Sequence, residues 1–238
     1  MNRWPEQLAS ITKQRAGYKY KRLKHTPEVA ADATMVFEKM KSTLSVRRNM
    51  VNAETPAANI LKEFPQFQIT PGEIEQDFRL MFPNEHPKLL ERWPSIKQKI
   101  IALARKSTDG ATAELLATVD RGPCEDLELR SIYSGCSIDA FLEKNTTAMQ
   151  PYLLALGPTK KSISQYFIVV DHIALPCPAR DALGAFDVLF KSHYVFGLHY
   201  SKHLLNFWTF LQTTIYQIGI TNTHQTPRAR TLRSKLQL

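Results

Sequence analysis

The stretch from Gln150 to Gly219 holds the highest apolar density in the chain, and it limits what the rest can fold around. Pro151–Gly157 is a short apolar run closed by a Gly157-Pro158 turn signal. Ser164–Cys177 is a second run, rich in Val, Ile, Tyr and Phe and interrupted at Asp171-His172. β-branched and aromatic side chains suit a pleated, half-buried surface, so both runs read as strands. Asp tolerates turn geometry, so Asp171-His172 reads as the turn of a hairpin. The pattern predicts strands at Tyr152–Leu156, Tyr166–Val170 and His172–Pro176, paired antiparallel in chain order. Helical segments follow at about Ala182–Phe196 and Ser201–Ile218. The fold class is therefore α+β, with a mainly helical N-terminal half and a small C-terminal antiparallel sheet packed with helices.

The closing helix carries the sharpest expectation. Ser201 is a good N-cap, and Leu204, Trp208, Leu211 and Ile215 recur at helical spacing. Leu205, Phe207 and Phe210 widen the stripe, which asks for central burial. Trp208, Leu211 and Ile215 should meet the strand Tyr166–Val170 and Phe186 and Phe190. Gly219 should end the helix in a left-handed conformation. The tail beyond it is polar and basic, so Leu236 is expected to carry almost no packing.

The first half reads as short helices. Val36, Met40 and Leu44 share one face of a helix over Thr34–Met50, whose later half is crowded with Lys39, Lys41, Arg47 and Arg48. A helical turn is expected at Ala57–Phe64, with Phe64, Phe67 and Ile69 in the core. Thr70-Pro71-Gly72-Glu73 predicts a capping box, Thr70 as N-cap and Glu73 closing it, for a helix reaching about Phe82. Ile74, Phe78 and Met81 should face inward. Leu89, Leu90 and Trp93 form a short stripe that Pro94 ends, and Ser95–Arg105 should be a separate helix with Ile96, Ile100 and Leu103 inward. Further helices are expected at Ala111–Val119 and, capped by Ser137, at Ile138–Lys144. The division that follows is an arm at 1–34, a helical region at 35–122, an α+β module at 123–219 and a tail at 220–238.

Charge is uneven along this division. The chain carries a formal +9, of which residues 1–50 hold +7 and residues 220–238 hold +4, around a body of −2. Lys13, Arg15, Lys19, Lys21, Arg22 and Lys24 interleave with Tyr18 and Tyr20, and Arg228, Arg230 and Arg233 lie in the tail. Such residues can contact phosphates and stack on bases, although a basic run is more commonly a solvated arm. No run of about 18 apolar residues occurs, so no membrane helix is expected. The start, MNRWPEQLAS, lacks the apolar region of a signal peptide. Three cysteines, Cys124, Cys136 and Cys177, fit reduced thiols inside a cell better than a disulfide framework. Nucleus and cytoplasm are equally compatible.

Chemical signatures are sparse. A zinc site would need four well-spaced ligands, and Cys177 with His172, His193 and the distant Cys124 and Cys136 lacks that spacing. His199 and His203 are four apart, but a helix starting at Ser201 would separate them. Cys177 with His172 or His193 and Asp171 or Asp187 can be written as a triad, but Cys is more often a small buried hydrophobe. Lys160 and Lys161 fit a solvated hairpin loop better than a phosphate site. No nucleotide-loop or dinucleotide fingerprint occurs, and no cofactor is expected.

QPYLLALG, SISQYFIVVDHIALPC, LGAFDVLFKSHYVFGLHY and FWTFLQTTIYQIG, with the terminal TPRARTLRSKL, resemble the C-terminal module of a large vertebrate group often labelled sterile-alpha-motif-domain-containing-like. FEKMKSTLSVRRNMV and ILKEFPQF resemble the helical region that precedes that module. The resemblance runs from about Met35 to Leu238. It implies no catalytic residues. The sterile alpha motif itself has no room before residue 35, so its oligomerising role is not expected here. The reading is a non-enzymatic, intracellular protein-interaction module with a protein partner. The alternative is a nucleic-acid-associated protein, derived from a mobile element and binding through its basic ends.

Overall fold

The computed structural model describes residues 27–106, 110, 129–133, 137–144, 150–159, 162–220 and 227–236. The helix expected at 111–119 therefore lies outside the described residues, as do Cys124, Cys136, Lys160 and Lys161.

Helix α1 (Pro27–Ser42) begins seven residues before Thr34, at a proline whose fixed φ suits a first helical position. Thr43 interrupts the expected single helix. Its hydroxyl donates back to the carbonyls of Lys39 and Met40, both at 3.1 Å, and α2 (Leu44–Asn52) starts afresh. Then come α3 (Ala57–Glu63) and α4 (Gln66–Ile69), which bury Phe64 and Phe67 as expected; Ile69 is only half-buried.

The capping box does not form. Thr70 is extended and ends α4, and Gly72, at φ +100°, is the N-cap of α5 (Glu73–Met81). A left-handed residue at the joint turns Glu73 into the protein, so its side chain does not reach back to a cap. Helix α6 (Lys88–Ala104) runs through Pro94 without a break. Pro94 removes one N–H from the ladder, but it and Leu90, whose carbonyl loses the partner, lie on the exposed side where water can replace it. The continuous helix shifts the inward stripe to Leu89, Ile96 and the half-buried Leu103, leaving Leu90 and Ile100 outside.

The sheet has the order β1-β2-β3-β4. Strands β2 (Tyr152–Gly157), β3 (Gln165–Val170) and β4 (Ile173–Cys177) form the expected antiparallel meander. Asp171 and His172, at φ +46° and +63°, make the two-residue turn between β3 and β4, the conformation that matches strand twist. At the end of β2, Gly157 passes so close to Ser162 that a Cβ would sit 2.1 Å from its carbonyl oxygen. A fourth strand, β1 (Leu129–Tyr133), lies parallel to β2, so the complete sheet is mixed. A parallel pair needs a crossover, and helix α7 (Ile138–Lys144) supplies it. Ile138 and Leu142 of α7 cover one face of the sheet, at Tyr152, Leu154, Phe167, Val169 and Ala174. The opposite face, with Leu153, Ala155, Ile168, Val170 and Leu175, belongs to the main core. Burial on both faces explains why the strands read as nearly continuous apolar runs.

Helix α8 (Ala182–Val195) lies on β2 and β3 and is capped by Asp181, whose carboxylate accepts from the Gly184 N–H at 2.8 Å. The closing segment differs from the expectation. Ser201 makes a turn instead of a cap, accepting from the His203 N–H at 3.3 Å, and α9 (Leu205–Phe210) begins four residues later. The chain then widens into a π-helix, Leu211–Tyr216. The segment leaves through Gln217 at φ +61°, with Gly219 also left-handed. Trp208, Leu211 and Ile215 are buried as expected, and Trp208 stacks on Phe186 at 5.6 Å and meets Phe190 at 6.2 Å. The tail is the largest correction. Pro227–Leu236 forms a helix, α10, against α6 and α9, with Ala229 and Leu236 in the main core. Leu236 is 1% exposed.

Candidate functional site

Among the described residues, two groups of charged side chains are buried, and both reach α5. The first is built on α8, where Asp187 and Lys191 stand four residues apart and are wholly buried. Lys191 Nζ donates to Asp187 Oδ2. The Tyr216 hydroxyl, brought in by the π-helix, donates to Asp187 Oδ1 at 2.5 Å, and its ring stacks on Phe190 at 3.9 Å. Glu75 of α5 stands 3.8 Å from Lys191 Nζ, and the ammonium lies 5.7 Å from the Phe78 ring centroid. Burial raises the Asp187 carboxyl despite its lysine, and it raises the Tyr216 phenol well above its usual range. The result is a closed pair: each carboxylate oxygen of Asp187 has one donor.

The second group joins α2 to α5. Arg47 Nε and Nη2 donate to the two oxygens of Asp77 at 2.7 and 2.6 Å. Nη2 also donates to the Met40 carbonyl, and Nη1 to Thr43 Oγ1, both at 2.8 Å, with Met40 Sδ at 3.8 Å. The guanidinium lies over the rings of Phe64 and Phe67 at 5.1 and 5.6 Å. Glu73, 1% exposed, sits beside this pair with neither carboxyl oxygen hydrogen-bonded. Two further arginines hold helix ends. Arg48 donates to the carbonyls of Tyr194 and Val195 at the end of α8, and Arg92 to those of Thr214 and Ile215 in the π-helix.

The residues that could be written as a triad have separate partners. The Asp171 carboxylate accepts from the Ala58 N–H at 2.9 Å, so it caps α3. Asp187 is held by Lys191 and Tyr216. His193 is buried against Trp208 and Tyr200, its Nδ1 3.1 Å from the Leu189 carbonyl, and burial pulls it down to about 4. Burial pushes the Cys177 thiol up to about 12, the opposite of what a nucleophile needs. Among the described residues, no group of three His, Cys, Asp or Glu side chains is placed to hold a metal, and no helix is long and apolar enough to cross a membrane.

Of the basic residues singled out in the sequence, Lys13, Arg15, Lys19, Lys21, Arg22 and Lys24 lie outside the described residues. Arg228, Arg230 and Arg233 all fall on α10, Arg230 exposed and Arg233 half-buried. Sequence reasoning missed both buried pairs. An Asp and a Lys four apart among the apolar residues of one helix was a readable signal for the first. For the second, Arg47 follows Met40 by seven residues and so falls on the stripe that Val36 and Met40 define.

The surface carries an apolar strip. Leu90, 44% exposed, and Leu183 line one shallow depression of about 290 Å³, together with Pro178 and Ala179. Phe186 stands one turn along α8 from Leu183, and its ring centroid is 6.1 Å from that of Phe207, which is 40% exposed. Glu75, Arg180 and Asp181 rim the depression.

Residues 12–70 match the family model for the helical domain of sterile alpha motif domain-containing protein 3. The match takes in α1 to α4 and ends two residues before Gly72. No curated protein matches the chain, and no solved structure does.

Proposed function

We propose that the chain is a non-enzymatic protein-interaction module of the cell interior, and that it engages a protein partner through the strip Leu90–Leu183–Phe186–Phe207. The strip is the observation that carries this reading. Apolar and aromatic side chains left in contact with water in one continuous band are stabilised by a partner that covers them. The chemistry-bearing groups support it from the other side: Asp187, Lys191, Tyr216, His193 and Cys177 are occupied with packing and with one another inside the core. The likeness of residues 12–70 to a helical domain in a sterile-alpha-motif protein is compatible with such a role.

The test places a photo-activatable cross-linking residue at Phe207 or Leu90 of the full chain in cells, with exposed Lys62 on α3 as the control position. One defined adduct should form from both strip positions and not from Lys62. It should vanish when the strip position that does not carry the cross-linker is changed, Leu90→Asp or Phe207→Asp, while the thermal midpoint of each variant stays within a few degrees of wild type. Identical adduct patterns from all three positions would overturn the proposal.

A further inference from the structure

We propose that Glu73, with Asp77 and Arg47, forms a proton-gated latch that holds the helical unit α1–α4 onto α5. A guanidinium has five N–H groups. Those of Arg47 are taken by Asp77 twice, by the Met40 carbonyl, by Thr43 Oγ1 and by Met40 Sδ. Asp77 thereby satisfies both of its oxygens. Glu73, one helical turn away, is left with none, yet its side chain is 1% exposed.

An ionised carboxylate buried without a donor is too costly to persist, so the site holds two carboxyl groups, one cation and one proton. The proton belongs on Glu73, because Asp77 has the arginine. The charged groups facing Glu73 are Asp77 on its own helix and Arg47 on α2; Arg48 acts on Asp77. From α1, the Phe37 ring lies against Gly72, and the Phe37 carbonyl accepts from Gln76 at 2.9 Å. On α4, Gln66 is buried and neutral. The charges of α8, Asp187 and Lys191, engage Glu75 instead. Burial first, and then the Asp77 charge, raise the Glu73 carboxyl to about 8.

Gly72 makes the joint. Its φ of +100° sets the angle between α4 and α5, and the segment that matches the family model stops just before it. With α1–α4 swung away, Glu73 is solvated and titrates near 4.5. The closed form therefore holds a proton that the open form has lost between about pH 4.5 and about pH 8. In that window closure weakens as pH rises, by up to about tenfold in the opening constant per pH unit; above about 8 it levels off.

Amide exchange of the full chain from pH 5 to 9, corrected for intrinsic rates, tests this. Protection of peptides covering α1, α2 and α5 should fall by up to about tenfold per unit to pH 8 and then level off. Glu73→Gln and Glu73→Met should both flatten that slope, and at pH 8 both should be better protected than wild type. Two variants guard against one that packs badly. A slope retained in both would overturn the latch, and so would a slope lost equally from the β2–β4 peptides, since that would be a property of global unfolding.

Discussion

Asp187 shows how much can depend on one side chain. Its oxygens take Lys191 and Tyr216, so removing either donor strands a charge or an acceptor in the core. Lys191→Met should cost about 3–5 kcal/mol, the usual loss when one partner of a buried pair is deleted. Asp187→Leu/Lys191→Met together should cost less than Lys191→Met alone, because the fully buried Asp187 charge goes with its partner. Urea denaturation of the two variants decides it, and a double variant weaker than the single would contradict the closed pair. His193 gives a pH dependence of opposite sign to Glu73. Its folded value of about 4 lies below the ordinary 6.5, so the unfolded chain binds the extra proton between those values. This contribution should therefore be lost as pH falls from 6.5 to 4, where it offsets the opposite Glu73 contribution down to about pH 4.5, so His193→Phe should leave a stability that rises as pH falls through that window. Neither residue announces this in the sequence, because burial by distant elements creates both shifts.

At the scale of elements, periodicity located most of the structure and local capping rules misplaced its edges. The three meander strands, α7 and α8 fall where apolar spacing puts them. Thr70 and Ser201 are good N-caps in isolation, yet Gly72 and the turn at Ser201–Leu204 start the helices later. Pro94 looked like a break because nothing in the sequence says which face of α6 is wet. The π-helix ends on a tertiary contact: Arg92, 122 residues before Thr214, donates to carbonyls of its last turn, which a helix leaves without an internal partner. Arg92→Ala should therefore leave the Thr214 and Ile215 carbonyls unpaired and cost about 1–3 kcal/mol. The tail helix was hidden by composition, since Ala229 and Leu236 are its only fully buried side chains among the described residues of α10. Leu236→Ala should now cost about 2–5 kcal/mol. A denaturation midpoint equal to wild type would return the tail to solvent.

For the whole molecule, the main core joins Phe64, Phe67 and Phe78 of the helical region to Phe190, Phe196 and Tyr216 of the C-terminal module. Phe67 meets Phe196 at 5.1 Å, and Phe78 meets Phe190 at 6.5 Å. A division of the chain at residue 122 cuts through this packing. A chain starting at residue 123 would keep the meander but uncover α8, and it should lack the sharp near-ultraviolet dichroism of packed aromatics while the full chain unfolds in one transition. The α+β class and the meander were legible because local pattern suffices for them. The shared core was not, because the sequence does not state which helices meet across 100 residues.

The bond from Ala58 to the Asp171 turn has a further meaning in time. The two residues are 113 apart, so the helix made first must wait for a cap that leaves the ribosome much later. At about 5–20 residues per second the interval is roughly 6 to 20 seconds. Through that interval Phe64, Phe67 and Phe78 have no α8 to cover them. The nascent chain thus depends on whatever shields apolar surface at the ribosome exit, and slowing synthesis between residues 64 and 171 should lower its yield of folded protein.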